Sequence, residues 1–241
     1  MRQIWTIAIR EFRAFFDSLI AYILIMVFLG LSGFFTWLFG ADVFLTGQAS
    51  MQPFFAIAYW TMFFFIPALT MKMLAEENNT GTMELLLTKD ISDMQVILGK
   101  FLSVMFLVMV ALVFSLPYYF TIAWLGPVDH GAVLCGYLGI LLMSASYAGI
   151  GLFTSSITKN QIVAFLLALL IGVFFLIIFG ALASNMPGAL GKIFSYLDVS
   201  SHYQSIARGV IDSRDILYFV SIAALGIFLA QTVLAKRNIS K

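Results

Sequence analysis

Acidic residues suited to a docking surface concentrate in one stretch of this chain, Glu76 to Lys100. The stretch reads EENNTGTMELLLTKDISDMQVILGK and lies between two long apolar segments. It contains five of the twelve acidic residues of the chain: Glu76, Glu77, Glu84, Asp90 and Asp93. A charged, turn-containing loop in an otherwise apolar protein is suited to contact a partner in water.

Motifs for nucleotide binding and for metal-dependent hydrolysis do not occur in the sequence. Gly99-Lys100 and Gly191-Lys192 lack the upstream glycine and the following Ser or Thr of a phosphate-binding loop. The two histidines, His130 and His202, are expected outside the apolar segments and far from any carboxylate pair. We therefore predict no metal site, no cofactor and no Ser-His catalytic pair, and hence no enzyme activity in this chain.

The composition is that of a membrane protein. Of the 241 residues, 62% are hydrophobic and 10% are charged, whereas a soluble domain has about 25% charged residues. The net charge of +1 gives no basis for nucleic-acid binding. Cys135 is the single cysteine, and we interpret it as a thiol packed within the membrane.

Six stretches without Asp, Glu, Lys or Arg are each long enough for a helix to cross roughly 30 Å of hydrocarbon. These stretches are continuously apolar rather than alternating, which favours helices over barrel strands. The predicted spans cover residues 19–39, 55–73, 101–125, 132–153, 162–183 and 216–234. Lys72 stands at the end of the second span, and the interior of every span lacks Asp, Glu, Lys and Arg, which disfavours an ion-coupled carrier, a cation channel or an intramembrane enzyme.

The distribution of Lys and Arg predicts the orientation of the chain. With six spans, both termini lie on one side of the membrane, together with ten of the thirteen basic residues. The other side has Lys192, Arg208 and Arg214, all in the loop before the last span. Both termini and the loop that contains Glu76 are therefore expected to be cytoplasmic.

The segments outside the spans have helix signals of their own. Residues 1–17 carry basic side chains on one face and aromatic side chains on another, which predicts an amphipathic helix in the headgroup region. That helix either anchors the first span or grips a partner. Thr82 to Thr88 is expected to form a short helix, and Ser92 with Gln95 forms a capping-box pattern at the start of the next one.

Small residues and a proline mark two of the spans. Gly136, Gly149 and Gly151 in the fourth span allow neighbouring helices to approach closely, and we interpret them as packing positions rather than as a permeation path. Pro67 in the second span removes a backbone hydrogen bond, which predicts a bend in that helix.

The central loop resembles that of the membrane subunits of type-2 ABC exporters. Its pattern Glu76-Glu77-x-x-x-Gly81-Thr82-x-Glu84-Leu85-Leu86-Leu87-Thr88 is similar to the family's E-x-x-x-G-T-x-E-x-L-L-T-x-P-x-S, although Asp90-Ile91 stands where the family often has proline. Similar, too, are Ser92-Asp93, Gly99-Lys100, Ser155-x-x-Thr158-Lys159-Asn160-Gln161 and the segment from His202 to Asp215. The gliding-motility ABC permeases of the Bacteroidota are the nearest subgroup, with copper-processing permeases close to them.

The resemblance implies a fold, a set of partners and a contact surface. The chain would be an all-α membrane protein with the type-2 ABC exporter fold, in one permease domain over residues 1–241. That domain would have an N-terminal interfacial helix (1–17), six transmembrane helices, a cytoplasmic coupling loop (74–100) and an outer loop with short helices (184–215). Two such subunits, identical or related, would pair in the lipid of the inner membrane above ABC ATPase subunits. The residues implied to couple to the ATPase are Glu76, Glu77, Gly81, Thr82, Glu84, Leu85, Leu86, Leu87 and Thr88.

Two functions remain open at this point. The first is the permease subunit of an ATP-driven exporter, with ATP hydrolysis in a separate partner. The second is a non-transporting membrane anchor, in which the ATPase does work on gliding or envelope machinery. Both assign the same docking role to the central loop, so the loop sequence does not separate them.

Overall fold

The chain is a bundle of helices in which six segments are long and apolar enough to cross a membrane. The computed structural model describes residues 2–39, 43–80 and 92–239, and every regular element within those ranges is a helix. In chain order the elements are α1 (Arg2–Asp17), α2 (Ile20–Trp37), α3 (Val43–Thr46), α4 (Gln52–Thr80), α5 (Asp93–Phe114), α6 (Leu116–Leu125), α7 (His130–Ile157), α8 (Gln161–Val173), a π-helical turn (Phe174–Ile178), α9 (Phe179–Asn185), α10 (Ala189–Leu197), α11 (Val199–Ala207) and α12 (Ser213–Ile239).

The six spans are α2, α4, α5 with α6, α7, α8 through α9, and α12. This arrangement confirms the prediction of an all-helical protein with six membrane helices. We call the membrane face next to α1 the terminal face, and the face that carries α10 and α11 the opposite face. The short helix predicted over Thr82 to Thr88 lies outside the described residues.

A capping box defines the start of the helix that leads into the third span, as the sequence predicted. α5 begins with the predicted capping box, because Ser92 Oγ accepts a hydrogen bond from Gln95 N (3.3 Å) and Gln95 Oε1 accepts one from Ser92 N (3.1 Å). The helix that leads into the third span therefore begins at Asp93, directly after the predicted cap, and runs through Lys100 as expected.

The fourth span, α7, is the centre of the bundle and packs against α4, α5, α8, α11 and α12. Glycines, which have no side chain, set the distance between helices at the tightest contacts of α7, as predicted. A Cβ atom on Gly151 would overlap the Thr70 side chain of α4, and one on Gly149 would lie 2.7 Å from the Ala223 carbonyl oxygen of α12. A Cβ atom on Gly226 of α12 would in turn overlap the Gly149 backbone. α7 and α12 are thus in backbone-to-backbone contact.

The helices α10 and α11 fold back onto the spans at the opposite face. The Tyr203 hydroxyl of α11 donates to the Phe55 carbonyl (3.0 Å), and its ring stacks on Tyr59 with the centroids 4.6 Å apart. Gln52 Nε2 donates to the Ala207 carbonyl (2.8 Å) at the end of α11. Burial raises the pKa of Tyr203 well above its usual value, so the hydroxyl stays protonated as a donor.

A buried histidine joins the same region to the last span: His202, expected far from any carboxylate pair, contacts the single carboxylate of Asp215. His202 Nδ1 is 2.6 Å from Asp215 Oδ1, its Nε2 is 3.1 Å from the Tyr196 carbonyl oxygen, and its ring stacks on Tyr218 at 4.1 Å. Both ring nitrogens lie within hydrogen-bond distance of groups on other helices, so His202 ties α11 to α10 and to α12.

The contact between α7 and α12 gives the first prediction. We expect Gly226→Ala to lower the free energy of unfolding by about 1–3 kcal/mol, because the added methyl group forces two packed backbones apart. The matched control is Gly30→Ala in α2, where a Cβ atom meets nothing within 4 Å. The control is expected to unfold at or above the temperature of the parent, since alanine is the better helix former. Thermal unfolding in detergent measures both, and a Gly226→Ala protein as stable as its parent would contradict the contact.

Candidate functional site

A cluster of four charged side chains joins three helices at the terminal face. Lys100 Nζ of α5 is 2.7 Å from Glu77 Oε1 of α4 and 3.6 Å from Glu11 Oε1 of α1. Arg10 Nη2 lies 2.6 Å from the same Glu11 oxygen. We call Arg10, Glu11, Glu77 and Lys100 the ion cluster. Its two cations balance its two carboxylates.

Burial makes the partners of Lys100 essential. The Lys100 side chain is 1% exposed, and each glutamate side chain is 17% exposed. Removing an ammonium ion from water costs several kcal/mol unless carboxylates with good geometry replace the water. Glu77 and Glu11 supply them, and the pairing holds the beginning of α5, the end of α4 and the middle of α1 together.

The Glu11 carboxyl group shows the balance between burial and pairing. Burial raises its pKa, but the nearby Lys100 and Arg10 lower it by more, so the net pKa lies below the usual value of 4.5. The carboxylate is therefore ionised under ordinary conditions. It links one exposed cation to one buried cation.

Apolar packing reinforces the attachment of α1 to α5. Ile7 lies directly over Gly99, where a Cβ atom would come within 2.6 Å of the Ile7 side chain. Trp5 and Phe12 both pack edge-on against Phe106, with centroids 5.5 and 6.2 Å away. α1 thus packs against α5 of its own chain, while the Trp5 side chain remains 56% exposed.

The end of α7 makes a second polar contact with the end of α4. Ser155 Oγ accepts hydrogen bonds from Leu74 N and Ala75 N, both at 3.0 Å, and donates to the Met71 carbonyl at 2.9 Å. Asn78 Nδ2 donates to the Ser156 carbonyl one turn later (3.4 Å). A hydroxyl that enters the backbone hydrogen-bond pattern of a helix in this way weakens that helix locally. Here it also ties α4 to α7.

The structure describes only part of the predicted coupling surface. Glu76 is exposed at the end of α4, whereas Glu77 turns inward to Lys100. Gly81, Thr82, Glu84, Leu85, Leu86, Leu87 and Thr88 lie outside the described residues. Two acceptors at the end of α4, Glu77 Oε2 and Asn78 Oδ1, are buried without a hydrogen-bond partner among the described residues.

Sequence reasoning assigned no role to Lys100 or Ser155, although both stand in stretches similar to the exporter pattern. The available signal for Lys100 was a lone cation at the edge of a long apolar run, beside a glycine. For Ser155 it was a pair of hydroxyl residues at the end of an apolar helix. Neither signal identifies its partner, which is 23 residues away for Lys100 and 80 or more for Ser155.

Comparisons with known proteins agree with this architecture. The model of a protein family described as ABC-2 family transporter protein matches residues 45–235. The match runs from the end of α3 into the last turns of α12, and so includes the central loop, Lys100 and Ser155. No curated protein matches the chain.

The burial of Lys100 gives the second prediction. We expect Lys100→Met to lower the free energy of unfolding by about 3–5 kcal/mol, because it leaves Glu77 buried without a counter-ion. The double variant Lys100→Met with Glu77→Met is expected to recover most of that loss. Denaturant titration in mixed micelles measures both, with the exposed Lys192→Met as the control. A double variant as unstable as the single one would show that the pair does not act as a unit.

The pKa of Glu11 gives the third prediction. Since this pKa is lower in the folded protein, the pair adds stability above pH 4.5, and that stability is lost as the pH falls below that value. Hydrogen–deuterium exchange of the α1 amides, corrected for intrinsic rates, should show constant protection from about pH 7 to 5 and a loss below about pH 4.5. A Glu11→Gln protein should lack this pH dependence, and an unchanged profile in that variant would assign the transition to another group.

Proposed function

Because this chain belongs to the ABC-2 family of transporter proteins and is a permease subunit of an ABC system, we propose that it couples ATP hydrolysis by a separate ATPase subunit to export. The ion cluster is the observation that carries this proposal. It lies where the two helices that flank the central loop, α4 and α5, approach each other, and it fixes them to one another and to α1.

A displacement of the central loop would be transmitted to the membrane spans through the contacts of the ion cluster. Gly81, Thr82, Glu84, Leu85, Leu86, Leu87 and Thr88 are the residues proposed to contact the ATPase, with Glu76 exposed beside them. Glu77 has a different part in the proposal: it transmits the displacement of α4 to α5 through Lys100. ATP can drive such a shift only if it favours one conformation of the membrane subunit over the other.

The end of α4 offers a further reason to expect a partner there. The unpaired acceptors Glu77 Oε2 and Asn78 Oδ1 are buried, and buried acceptors are stabilised when a donor reaches them. Amide or guanidinium groups of a docked subunit would supply such donors. Ser155 then passes any movement of this end of α4 to α7.

The charge distribution supports the sidedness of the proposal. Three of the thirteen basic residues belong to the opposite face. They are Lys192, Arg208 and Arg214, and all lie between α9 and the first turn of α12. The positive-inside rule then makes the terminal face cytoplasmic, in the inner membrane, so the ATPase meets it directly. Two permease subunits, identical or related, would complete the transporter.

A mechanical role in gliding or in the envelope is the alternative form of the same proposal. In that form the ATPase moves the same helices, but the work acts on a protein partner instead of on an exported molecule. A cavity of about 810 Å³ at the opposite face favours export, because an anchor has no need of a ligand-sized space.

Co-purification with the ATPase encoded beside this chain tests the proposal and gives the fourth prediction. We expect the intact chain to retain the ATPase in detergent and Glu76→Gln with Glu84→Gln to retain about tenfold less. Glu77 stays unchanged in this variant, because its removal would also unpair Lys100.

The control is Asp212→Asn, which removes an exposed carboxylate at the opposite face and should retain the ATPase fully. Equal recovery with all three proteins would move the docking site away from the central loop. Failure of the intact chain to associate with any ATPase would overturn the coupling role itself.

A further inference from the structure

The cavity at the opposite face lies between α4, the end of the fifth span and α11. It has a volume of about 810 Å³, within the range of about 300–1,000 Å³ that is usual for ligand sites. Its walls combine aromatic and aliphatic side chains with the polar side chains of Gln52, Ser184, Asp198, Ser200, Gln204 and Arg208. We call this space the opposite-face cavity.

Local departures from ideal packing build the cavity. The π-helical turn Phe174–Ile178 supplies two of its lining residues, Leu176 and Ile177, and π turns inside helices occur frequently at functional sites. Just beyond the turn, Gly180 lets Asp198 approach, since a Cβ atom there would lie 3.1 Å from Asp198 Oδ1. The stacked pair Tyr59 and Tyr203 closes the inner wall.

The apolar wall is open sideways, towards the surface that faces lipid. Trp60 and Ile177 line the cavity and are 46% and 47% exposed, respectively, although both lie on membrane spans. An acyl chain can therefore lie against these side chains without first passing through water. This opening suits an amphiphile better than a polar solute.

One buried polar group in this wall has no partner. Tyr59 is 7% exposed, and its hydroxyl makes no hydrogen bond of acceptable geometry among the described residues, although Ser200 and Asp198 lie near it. The Asp198 carboxylate already accepts from Ser200 N and Ser201 N at 3.2 and 3.0 Å. The phenol is thus a free donor inside a mainly apolar site, as an ester carbonyl requires.

One cationic side chain, that of Arg208, lines the cavity. It is exposed and uses its Nε to donate to the Gln204 carbonyl (3.0 Å). No carboxylate of the described residues lies within 4.0 Å of its guanidinium group. A guanidinium group fixed through Nε presents its two terminal nitrogens in the fork that matches a phosphate.

We propose that the opposite-face cavity binds a glycerophospholipid with an anionic head group. The phosphate contacts Arg208, an ester carbonyl accepts from Tyr59, and one acyl chain lies against Trp60 and Ile177. The site uses the opposite-face end of α4 together with the end of the fifth span and α11, and it includes none of the residues proposed to contact the ATPase. Its failure would therefore leave ATPase docking at the terminal face untouched, and the converse also holds.

Bromine quenching of Trp60 tests the proposal and gives the fifth prediction. The chain has four tryptophans, so Trp5→Phe, Trp37→Phe and Trp124→Phe together leave Trp60 as the only indole. The protein is reconstituted in phosphatidylcholine vesicles that contain dibrominated phosphatidylglycerol or, in parallel, dibrominated phosphatidylcholine at the same mole fraction. We expect the anionic lipid to associate next to Trp60 about fivefold more strongly, as one basic residue at a membrane surface would provide.

Two variants of this single-tryptophan protein make the test specific. Arg208→Gln should remove the preference for the anionic lipid, while the exposed Lys192→Gln, a cation of the same outer segment that does not line the cavity, should keep it. Tyr59→Phe keeps the ring and should weaken association of both lipids alike. Circular dichroism verifies that each variant keeps its helices.

Three results would overturn the proposal. The first is equal association of the two lipids with the parent, and the second is a preference that survives Arg208→Gln. The third is the absence of quenching by either lipid together with a Trp60 emission that depends on protein concentration. That result would assign the cavity to a helix of a second copy of the chain.

Discussion

The burial of the Lys100 ammonium group is the constraint on which the terminal half of the structure depends. An ion that is 1% exposed must find carboxylates in place of water, because its desolvation would otherwise outweigh the packing around it. The carboxylates come from α1 and α4, so neither helix can leave α5 without exposing or unpairing a charge. A single lysine thereby ties the amphipathic helix α1 and the membrane helices α4 and α5 to one another. Hydrophobic contacts alone would let the same helices slide, since they have little directional preference.

The central span α7 extends this unit through a different kind of interaction. Glycines bring its backbone against α4 and α12, and Ser155 then reaches the α4 backbone itself. Side-chain contacts can rearrange as helices move, whereas a hydroxyl bonded to three backbone groups of another helix has few alternative positions. The last turns of α4 therefore have two fixed neighbours, α5 through Lys100 and α7 through Ser155. On α4, the contact residues Glu77 and Ala75 lie within two turns of Gly81, the first of the loop residues that the ATPase is proposed to contact.

The sequence predicted the features that depend on residues close together in the chain, and it did not predict the contacts between residues far apart in the chain. The spans and the Ser92 capping box follow from hydropathy and from spacing of three residues, and the contact glycines follow from side-chain size. The partners of Lys100 and His202 belong to other helices, and no periodicity encodes which helix lies opposite which. Hydropathy also gives no sign that the Lys100 side chain is 1% exposed, because that burial depends on glutamates from two other helices. The π-helical turn gave no signal, because its residues FFLII suit an α-helix equally well.

The two sites of the molecule share one helix, and this has a consequence for coupling. Glu77 at the terminal face and Gln52 at the opposite face lie 25 positions apart on α4, or about 37 Å along a regular helix. A rigid α4 would transfer any displacement at Glu77 directly to the wall formed by Phe55 and Tyr59. Pro67 lies between the two ends and has no amide hydrogen to donate, so α4 lacks one backbone hydrogen bond there. Tilting below this point would leave the opposite end bound to α11 through Gln52 and Tyr203, while tilting of the whole helix would have to break both hydrogen bonds. If the proposed coupling holds, the less costly movement would therefore bend α4 at Pro67 before it displaces the wall of the cavity.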